Sequence, residues 1–579
     1  MHRSRVRRAT AAGLAAGAML LASLGAAPAP IPAPAPAPAP AATPAPAPAP
    51  VPTPAPVPTP APAPTPAPAP TPAPAPAPAP APTGGDDPLA RFHAQRVRWG
   101  DCPEKPVPAE MRCAVVEVPL DYAAPAKGTV KVALGRIPAT DPDRRIGSLL
   151  INFGGPGASG MAGLAADPKL FADLGERYDL IGFDPRGVGH SDPVSCGGAR
   201  QAEADPNAGM AAALATLRDE VKRCEVNSGP VLAHMGTVDV ARDMDVLRRV
   251  LGDEKLNFLG FSYGSRLGAV YAALFPRTTG RMALDGVDTL TESLTEQALV
   301  SARGQQQALD NFLTWCAHQT GCVYGTNTRT AKEKVAALVE RLDTEPLVGH
   351  DGIPVSGLVA TLAIGQALYS PSTWPALAKA LAQAERQHDP AGLLALVGLT
   401  ESPEPTDPPE PPEPTDPPDP ASQADGSDPV PADNLAAALA AVTCADDPDR
   451  SIDKATPAAL EKEINELAEE FLQVSKVFGV AQLLSVLTCY GRPPGTDFIR
   501  KIDHPGAPPM LLVGTRGDPA TPYEWTEETA ERLGSAVIVD HKGDGHTGYG
   551  TSRCVGQYVD DFLLYGRLPS GTRSCPAGE

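Results

Sequence analysis

Ser262 lies in a sequence context that can make its hydroxyl a nucleophile. The residues around it read Gly260-Phe-Ser-Tyr-Gly264, a G-x-S-x-G pattern. The apolar run at 256–259 predicts a buried strand before the turn, and the helix formers at 266–275 predict a helix after it. Two glycines permit a turn that would be too tight for side chains, and such a turn lifts the serine above the sheet. The alternative for so short a motif is a glycine-rich loop without chemistry.

Strand, G-x-S-x-G and helix together are typical of the nucleophile elbow of α/β-hydrolases, in which the catalytic order along the chain is serine, acid, histidine. Asp518 follows an apolar run at 509–513 that predicts a late strand. His546 lies in a glycine-flanked loop after the last predicted strand, at 536–539. We therefore predict Ser262 as nucleophile, His546 as general base and acid, and Asp518 as the group that orients the histidine.

Other residues compete for the acid and base roles. Asp285, at the end of a strand predicted at 281–287, is an alternative acid. His541 lies at the end of the last predicted strand, where the ladder would hold it. His190 precedes the serine, which conflicts with the order of the fold.

A second glycine-rich loop, 153–157, follows a strand predicted at 148–153. This fold places its second oxyanion donor at such a loop. We predict the backbone N–H groups of Tyr263 and Gly155 as donors, with Gly154 as the alternative to Gly155. A phosphate-binding loop would need a terminal Gly-Lys-Ser/Thr, which the sequence lacks.

Two further local patterns have structural interpretations. Asp184 and Arg186, after a strand predicted at 178–183, are expected to tie their loop beneath the oxyanion loop. Thr521-Pro-Tyr-Glu524 predicts a capping box at the start of a helix.

The predicted fold class is α/β: a mostly parallel twisted sheet with helices on both faces and a helical cap. The chain has 579 residues, 70 of them proline. Composition divides it into a secretory signal, a Pro/Ala-rich disordered linker, the first part of the hydrolase core, a cap with a disordered Pro/Asp/Glu-rich insertion, and the rest of cap and core. These are predicted at 1–27, 28–88, 89–290, 291–433 with the insertion at 401–433, and 434–579.

A net charge of −20 argues against a nucleic-acid partner. The basic start and short apolar run at 1–27 predict secretion without stable membrane insertion after signal removal, and the linker offers proximity to the cell envelope. Export favours disulfides. Pairing neighbours among the ten cysteines gives the hypothesis Cys102–Cys113, Cys196–Cys224, Cys316–Cys322, Cys444–Cys489 and Cys554–Cys575. No metal or organic cofactor is expected.

Four motifs carry a resemblance to a known family: Gly154-Gly-Pro-Gly157, Asp184-Pro-Arg-Gly187, Gly260-Phe-Ser-Tyr-Gly264 and Asp285-Gly-Val287. Together they resemble the secreted actinobacterial tripeptidyl aminopeptidases of the prolyl-iminopeptidase group, over 91–575 apart from the insertion. Phe153 and the segment 490–493 depart from the family pattern.

The resemblance implies that the cap narrows the cleft and that acidic groups hold the free α-amine of a peptide. Glu292 and Glu296, near the start of the cap, are the candidates. A solvated helix face is the alternative for each. The sequence thus predicts a secreted serine exopeptidase that releases dipeptides, tripeptides or a terminal proline from peptide N-termini. A secreted carboxylesterase or lipase with the same triad is the second hypothesis, and a non-catalytic envelope-binding protein is the third.

Overall fold

The computed structural model describes residues 87–103, 106–198, 210–349, 352–399, 429–449, 456–493 and 495–578. The predicted secretory signal, nearly all of the predicted linker, and residues 401–428 of the predicted insertion lie outside the described residues.

Within the described residues, nine strands form one sheet in the order β1-β2-β4-β3-β5-β6-β9-β10-β11. Strands β1, β2 and β4 pair antiparallel, and every other neighbouring pair in this sheet is parallel. Strands β7 and β8 form a separate hairpin. The bounds are β1 Arg112–Pro119, β2 Thr129–Ile137, β3 Gly147–Asn152, β4 Tyr178–Phe183, β5 Leu256–Phe261, β6 Thr279–Asp285, β7 Leu347–Val348, β8 Pro354–Val355, β9 Leu511–Gly517, β10 Val537–Asp544 and β11 Arg573–Cys575.

Helices connect the strands and build a block between β6 and β9. In chain order they are α1 Ala90–His93, α2 Gly160–Ala166, α3 Ala172–Gly175, α4 Met210–Ser228, α5 Thr237–Val250, α6 Tyr263–Leu274, α7 Leu294–Ala317, α8 Thr328–Thr344, α9 Gly357–Ala367, α10 Trp374–Arg386, α11 Ala391–Leu396, α12 Asn434–Asp446, α13 Pro457–Val474, α14 Gly479–Val486, α15 Tyr523–Leu533 and α16 Arg553–Tyr565.

The central strands are buried along their whole length because helices cover both faces of the sheet. Every residue of β3 and of β4 is buried, as expected of parallel strands between two helical layers. One apolar cluster joins the sheet to α5, α6 and α15, and another joins it to α2, α3 and α16. The predicted α/β-hydrolase fold class is confirmed.

The helical block has an apolar core of its own. Helices α7 to α11 bury a cluster that also takes in Val477 and Phe478, just before α14. Helices α13 and α14 form a further cluster with Leu214 of α4. Helix α12 packs instead against the core of the sheet domain through Ala437, Ala438, Ala441 and Val442.

The prediction of disorder is wrong for the carboxyl end of the insertion. The prediction placed 429–433 in a disordered segment, but Asp433 is buried. Its carboxylate accepts hydrogen bonds from the Ser195 hydroxyl and the Cys196 amide, both at 2.8 Å. The proline-rich composition of the segment gave no sign that Asp433 would be buried. Its carboxylate oxygens accept hydrogen bonds from donors in the loop before α4.

The five predicted disulfides are all present, and no cysteine of the described residues is free. Cys444 belongs to α12, which packs on the sheet domain, whereas Cys489 follows α14 in the helical block. This disulfide therefore links the sheet domain and the helical block covalently.

Replacing both Cys444 and Cys489 with serine should lower the free energy of unfolding by about 4 kcal/mol. The pair closes a loop with a sequence separation of 45 residues, and loop closure restrains the unfolded chain more when the loop is longer. Denaturant unfolding measures the loss. Replacing Cys316 and Cys322, which are separated by 6 residues, is the control, with an expected loss of about 2 kcal/mol. A loss at Cys316–Cys322 equal to or above that at Cys444–Cys489 would contradict this account.

Candidate active site

Ser262 occupies a strained turn between β5, which ends at Phe261, and α6, which begins at Tyr263. Its backbone has φ 56° and ψ −126°, a conformation that costs a non-glycine residue about 1–3 kcal/mol. The flanking glycines make the turn possible. A Cβ on Gly260 would lie 2.4 Å from the carbonyl oxygen of Gly264, and a Cβ on Gly264 would lie 2.8 Å from that of Asn152. The predicted helix start at 266 was three residues late.

Hydrogen bonds hold the strained turn in place. The Ser262 amide donates to the Asp285 carbonyl at the end of β6, at 2.8 Å. The Ser262 carbonyl accepts from the amide of Ser265 at 2.8 Å and from its hydroxyl at 2.6 Å. The Ser262 hydroxyl makes no hydrogen bond to a described residue and stays available for other chemistry.

The structure brings Asp518 and His546 together. Nδ1 of His546 lies 2.9 Å from each carboxylate oxygen of Asp518. The Asp518 side chain is buried, and that of His546 is 12% exposed. The carboxylate also accepts hydrogen bonds from the Thr521 amide at 2.8 Å and the Thr521 hydroxyl at 2.9 Å. These bonds hold the Asp518 carboxylate in place. The carboxylate in turn holds the ring of His546 through Nδ1.

Ser262 and His546 both adjoin the end of β6. Ser262 donates to the carbonyl of Asp285, and a Cβ on the next residue, Gly286, would lie 3.2 Å from Cε1 of His546. No hydrogen bond joins the serine hydroxyl to the histidine. Such bonds are often long before substrate binds and tighten in the complex.

The competing residues have other partners. His541 is buried within β10, where its Nδ1 lies 3.1 Å from the Thr515 hydroxyl. The His190 amide donates to Asp184. Asp285 is fully buried and its carboxylate accepts from the amides of Gly548 and Tyr549, at 3.0 and 2.7 Å. Asp285 thus anchors the loop that carries His546, and Asp518 holds the ring itself.

The Thr521 capping box is wrong. The residue before α15 is Pro522, and no side chain caps the helix. The Thr521 hydroxyl donates to Asp518 instead, and its oxygen lies 3.4 Å from Nδ1 of His546. A charged acceptor binds a hydroxyl more strongly than a backbone amide does. The sequence pattern pointed to a capping box rather than to this role, although Thr521 lies only three residues after Asp518.

Asp184 and Arg186 have structural roles, as predicted, but neither bonds to the oxyanion loop itself, and Asp184 bonds to the start of α2 just beyond that loop. Its carboxylate accepts from the Ser159 hydroxyl at 2.6 Å and the Met161 amide at 3.1 Å. Arg186 is buried and pairs with Asp243 of α5. It therefore fastens its loop to a helix behind the sheet.

Two amide groups close to Ser262 in the chain or in the adjoining glycine loop have no acceptor among the described residues. Tyr263 is the first residue of α6, and N–H groups in a first helical turn have no acceptor inside the helix. The Gly154 amide donates to the Asn152 side chain at 3.0 Å. Neither the Gly155 nor the Tyr263 amide donates to an oxygen of the described residues. This distribution favours Gly155 over Gly154 as the second oxyanion donor.

The electrostatics of the site set the protonation of His546. Burial lowers the pKa of the imidazole, while the charge and hydrogen bond of Asp518 raise it. The net effect is a pKa above the usual 6.5. Burial likewise raises the pKa of Asp285 to about 6, against the two amides that stabilise its ionised form.

A small cleft lies beside α6, and its lining is rich in charge. Arg266, four residues after Ser262, lines it, whereas Ser262, Asp518 and His546 do not. Glu292, Asp446, Asp447 and Arg500 line it too. Burial raises the pKa of Glu292 to about 7, and its carboxylate accepts a hydrogen bond from the indole of Trp525 at 2.9 Å.

Glu296 has a structural position. Its carboxylate accepts from the Ser293 amide at 2.8 Å, while its own amide donates to the Ser293 hydroxyl. This reciprocal pair is a capping box at the start of α7. Glu296 is exposed and does not line the cleft beside Glu292. The structure supports the solvated-face alternative for this residue.

Comparison with known proteins agrees with the fold. A family model described as "alpha/beta hydrolase fold" matches residues 147–387, and one described as "TAP-like protein" matches residues 475–575. Serine protease Hip1 of Mycobacterium tuberculosis is 33% identical over 519 residues, which cover 83% of this chain and 91% of the relative.

Two other relatives have different names. Carboxylesterase B of M. tuberculosis is 34% identical over 512 residues, covering 85% of this chain and 92% of the relative. Tripeptidyl aminopeptidase of Streptomyces lividans is 29% identical over 509 residues, covering 84% of this chain and 88% of the relative. The chain therefore belongs to the α/β-hydrolase family. It is a serine hydrolase of that family, and the predicted resemblance to tripeptidyl aminopeptidases is confirmed.

Replacing Asp518 with asparagine should slow labelling of the protein by a fluorophosphonate probe by about 10³–10⁴-fold, because the His546 ring loses its orienting charge. Only the neutral imidazole accepts the serine proton, so wild-type labelling should rise with pH through a value above 6.5. Without the Asp518 charge, burial dominates and the pKa of His546 falls. The rise of labelling with pH, which is the acid limb of the profile, should therefore move to lower pH in the variant.

The control for this variant is Asp540→Asn. Asp540 pairs with Arg516 on the neighbouring strand and does not contact His546. Its labelling profile should match that of the wild type. An acid limb that stays in place in the Asp518 variant would show that Asp518 does not set the pKa of the base.

Replacing Asp285 with asparagine should lower the free energy of unfolding by about 1–3 kcal/mol, because an amide nitrogen would face the amide donors of Gly548 and Tyr549. The loop that carries His546 would lose its anchor, so fluorophosphonate labelling should slow as well. Denaturant unfolding and labelling rates measure the two effects, with Asp540→Asn again as control. Wild-type labelling in the variant would show that the anchor is not needed.

Proposed function

We propose that the protein is a secreted serine exopeptidase that releases short peptides, such as tripeptides or dipeptides, or a terminal proline, from the N-termini of peptides. The observation that carries the proposal is Glu292. Glu292 is half-buried and lines the charged cleft beside α6, the helix that begins directly after Ser262, and no ion pair of the described residues includes it. An uncompensated carboxylate in such a position favours a cationic ligand.

The other charges of the cleft support a cationic ligand. Arg266 is paired with Asp288 at 2.9 Å, and Arg500 with Asp447 at 3.1 Å. The two guanidinium groups are thus already neutralised, while Glu292 and Asp446 add negative charge to the lining. The α-ammonium group of a peptide is positively charged and would balance these carboxylates.

The proposed reaction uses the groups already described. The Ser262 oxygen attacks the scissile carbonyl as its proton passes to Nε2 of His546, and the amides of Tyr263 and Gly155 stabilise the oxyanion. The C–N bond then breaks, and the histidine proton goes to the leaving amine. Water attacks the acyl-enzyme, gives a proton to His546, and releases the short peptide as the proton returns to Ser262.

The names of the relatives support peptides as the substrate class. Hip1 is named a serine protease and the Streptomyces relative a tripeptidyl aminopeptidase. The relative named Carboxylesterase B favours the second candidate, a secreted carboxylesterase with the same triad.

Secretion is part of the proposal. The basic start and short apolar run at 1–27, and five disulfides in the folded part, support export to an oxidising compartment. Among the described residues, no helix has the length and apolar character needed to cross a membrane. We also propose that the Pro/Ala-rich linker at 28–88 keeps the enzyme close to the cell envelope.

The test compares tripeptide amides with a free and an acetylated N-terminus, together with short acyl esters. Wild type should cleave the free peptides, acetylation should lower kcat/KM by about 10–100-fold because a charged hydrogen bond is lost, and Ser262→Ala should be inactive. Equal rates on free and acetylated peptides would refute the exopeptidase. Turnover of esters alone would establish the carboxylesterase instead.

Glu292→Gln should raise KM for free peptides by about tenfold or more, while the control Glu296→Gln should behave as wild type, since glutamine also completes a capping box. With a pKa of about 7, Glu292 is ionised above pH 7 and protonated below it. KM for free peptides should therefore rise as pH falls through 7 in the wild type. A KM that is independent of pH would contradict the assignment.

A further inference from the structure

The helical cap contacts His546 through Tyr369, in the link between α9 and α10. The Tyr369 carbonyl accepts the amide hydrogen of His546 at 2.8 Å. The two rings meet edge to face, with centroids 5.1 Å apart. The cap therefore contributes a side chain to the immediate surroundings of His546.

The backbone at Tyr369 is held firmly. Leu368 is fully buried in the cap core. A Cβ on Gly545 would lie 2.9 Å from the Tyr369 carbonyl oxygen and 3.0 Å from Cδ of Pro371, so the link and the His546 loop are in close contact. The Thr373 hydroxyl donates to the carbonyls of Ala367 and Ser370 and closes the link as a compact turn.

Tyr369 is nevertheless partly open to solvent, although the atoms packed around it raise the pKa of its hydroxyl to about 12. It is 39% exposed, one of the few large apolar side chains of the described residues that are. Its hydroxyl bonds to no described residue. A rigid aromatic ring that is exposed beside a catalytic base is a surface which a bound molecule can cover, and burial of that ring would add binding energy.

The chemistry at His546 identifies the part of the substrate that lies there. Nδ1 faces Asp518, so Nε2 must give its proton to the nitrogen of the leaving group. The leaving amine therefore comes within hydrogen-bond distance of the imidazole, and the side chain that follows the scissile bond lies next to the same ring.

We propose that Tyr369 is a specificity-determining residue, whose exposed ring packs against the side chain of the amino acid that follows the scissile bond and favours large apolar residues there. This inference rests on the proposed peptidase function and extends it to the leaving-group side. It is independent of the Glu292 cleft, which concerns the N-terminal side of the substrate.

The test uses one free-amine tripeptide joined to four leaving groups: ammonia, alanine amide, leucine amide and phenylalanine amide. The value of kcat/KM reports acylation, the step in which the leaving group departs. Wild type should favour leucine and phenylalanine over alanine. In Tyr369→Ala, kcat/KM should fall by about tenfold for phenylalanine and leucine, but by less than about twofold for alanine and ammonia.

Two variants separate the ring from the rest of the residue. Tyr369→Phe keeps the ring and should retain the wild-type preference. Tyr565→Ala removes another exposed tyrosine, at the end of α16, and should leave all four rates unchanged. The carbonyl bond to His546 is a backbone bond and persists in every variant, and thermal melts should show that Tyr369→Ala is folded.

The outcomes are distinct. An equal loss on all four leaving groups in Tyr369→Ala would mean that the ring only positions His546, and would overturn the inference. An unchanged preference would overturn it too, while leaving the peptidase intact. A wild type that cleaves none of the four peptides would refute the proposed function and the inference together.

Discussion

The site depends on a single residue at the end of β6. The carbonyl of Asp285 accepts the amide of Ser262, while its buried carboxylate accepts the amides of Gly548 and Tyr549, two and three residues beyond His546. The strained serine turn and the histidine loop are thus held by the main chain and side chain of one residue. A buried carboxylate is costly unless it is fully hydrogen-bonded, so this link is specific to one arrangement of the two loops.

The remaining geometry follows from the parallel strands. Strands β5, β6 and β9 pair in parallel, so the residues that follow them emerge at the same edge of the sheet. Ser262 follows β5, Asp285 ends β6 and Asp518 follows β9. The two amides without an acceptor also follow parallel strands. Tyr263, after β5, is the first residue of a helix, and Gly155 lies in the glycine loop after β3, where the preceding amide, that of Gly154, is already bonded to Asn152.

The cap has its own apolar core but is not independent of the site. Helices α7 to α11 bury their own cluster, and the disulfide of Cys444 with Cys489 links α12 on the sheet domain to the end of α14. Tyr369 then connects the same block to His546. Proteins that share a fold such as this sheet domain differ in function through the sites built on it. Different names for relatives of similar identity are consistent with that difference.

The sequence by itself determined the α/β-hydrolase fold class, the strand-turn-helix around Ser262 and the five cysteine pairs, because apolar runs, glycine spacing and cysteine proximity are local signals. It also singled out Asp518 and His546, from their places after late strands. It left Gly154 as an alternative to Gly155 and Asp285 as an alternative to Asp518, and it did not separate Glu292 from Glu296. Those choices depend on which donors and acceptors are already used by neighbours distant in the chain, as with Thr521, which bonds to Asp518 rather than capping α15. Composition misplaced Asp433 for the same reason, since only the folded chain brings it to Ser195 and Cys196. Tertiary structure alone brought Tyr369 to His546, because burial and hydrogen-bond saturation are properties of the packed chain.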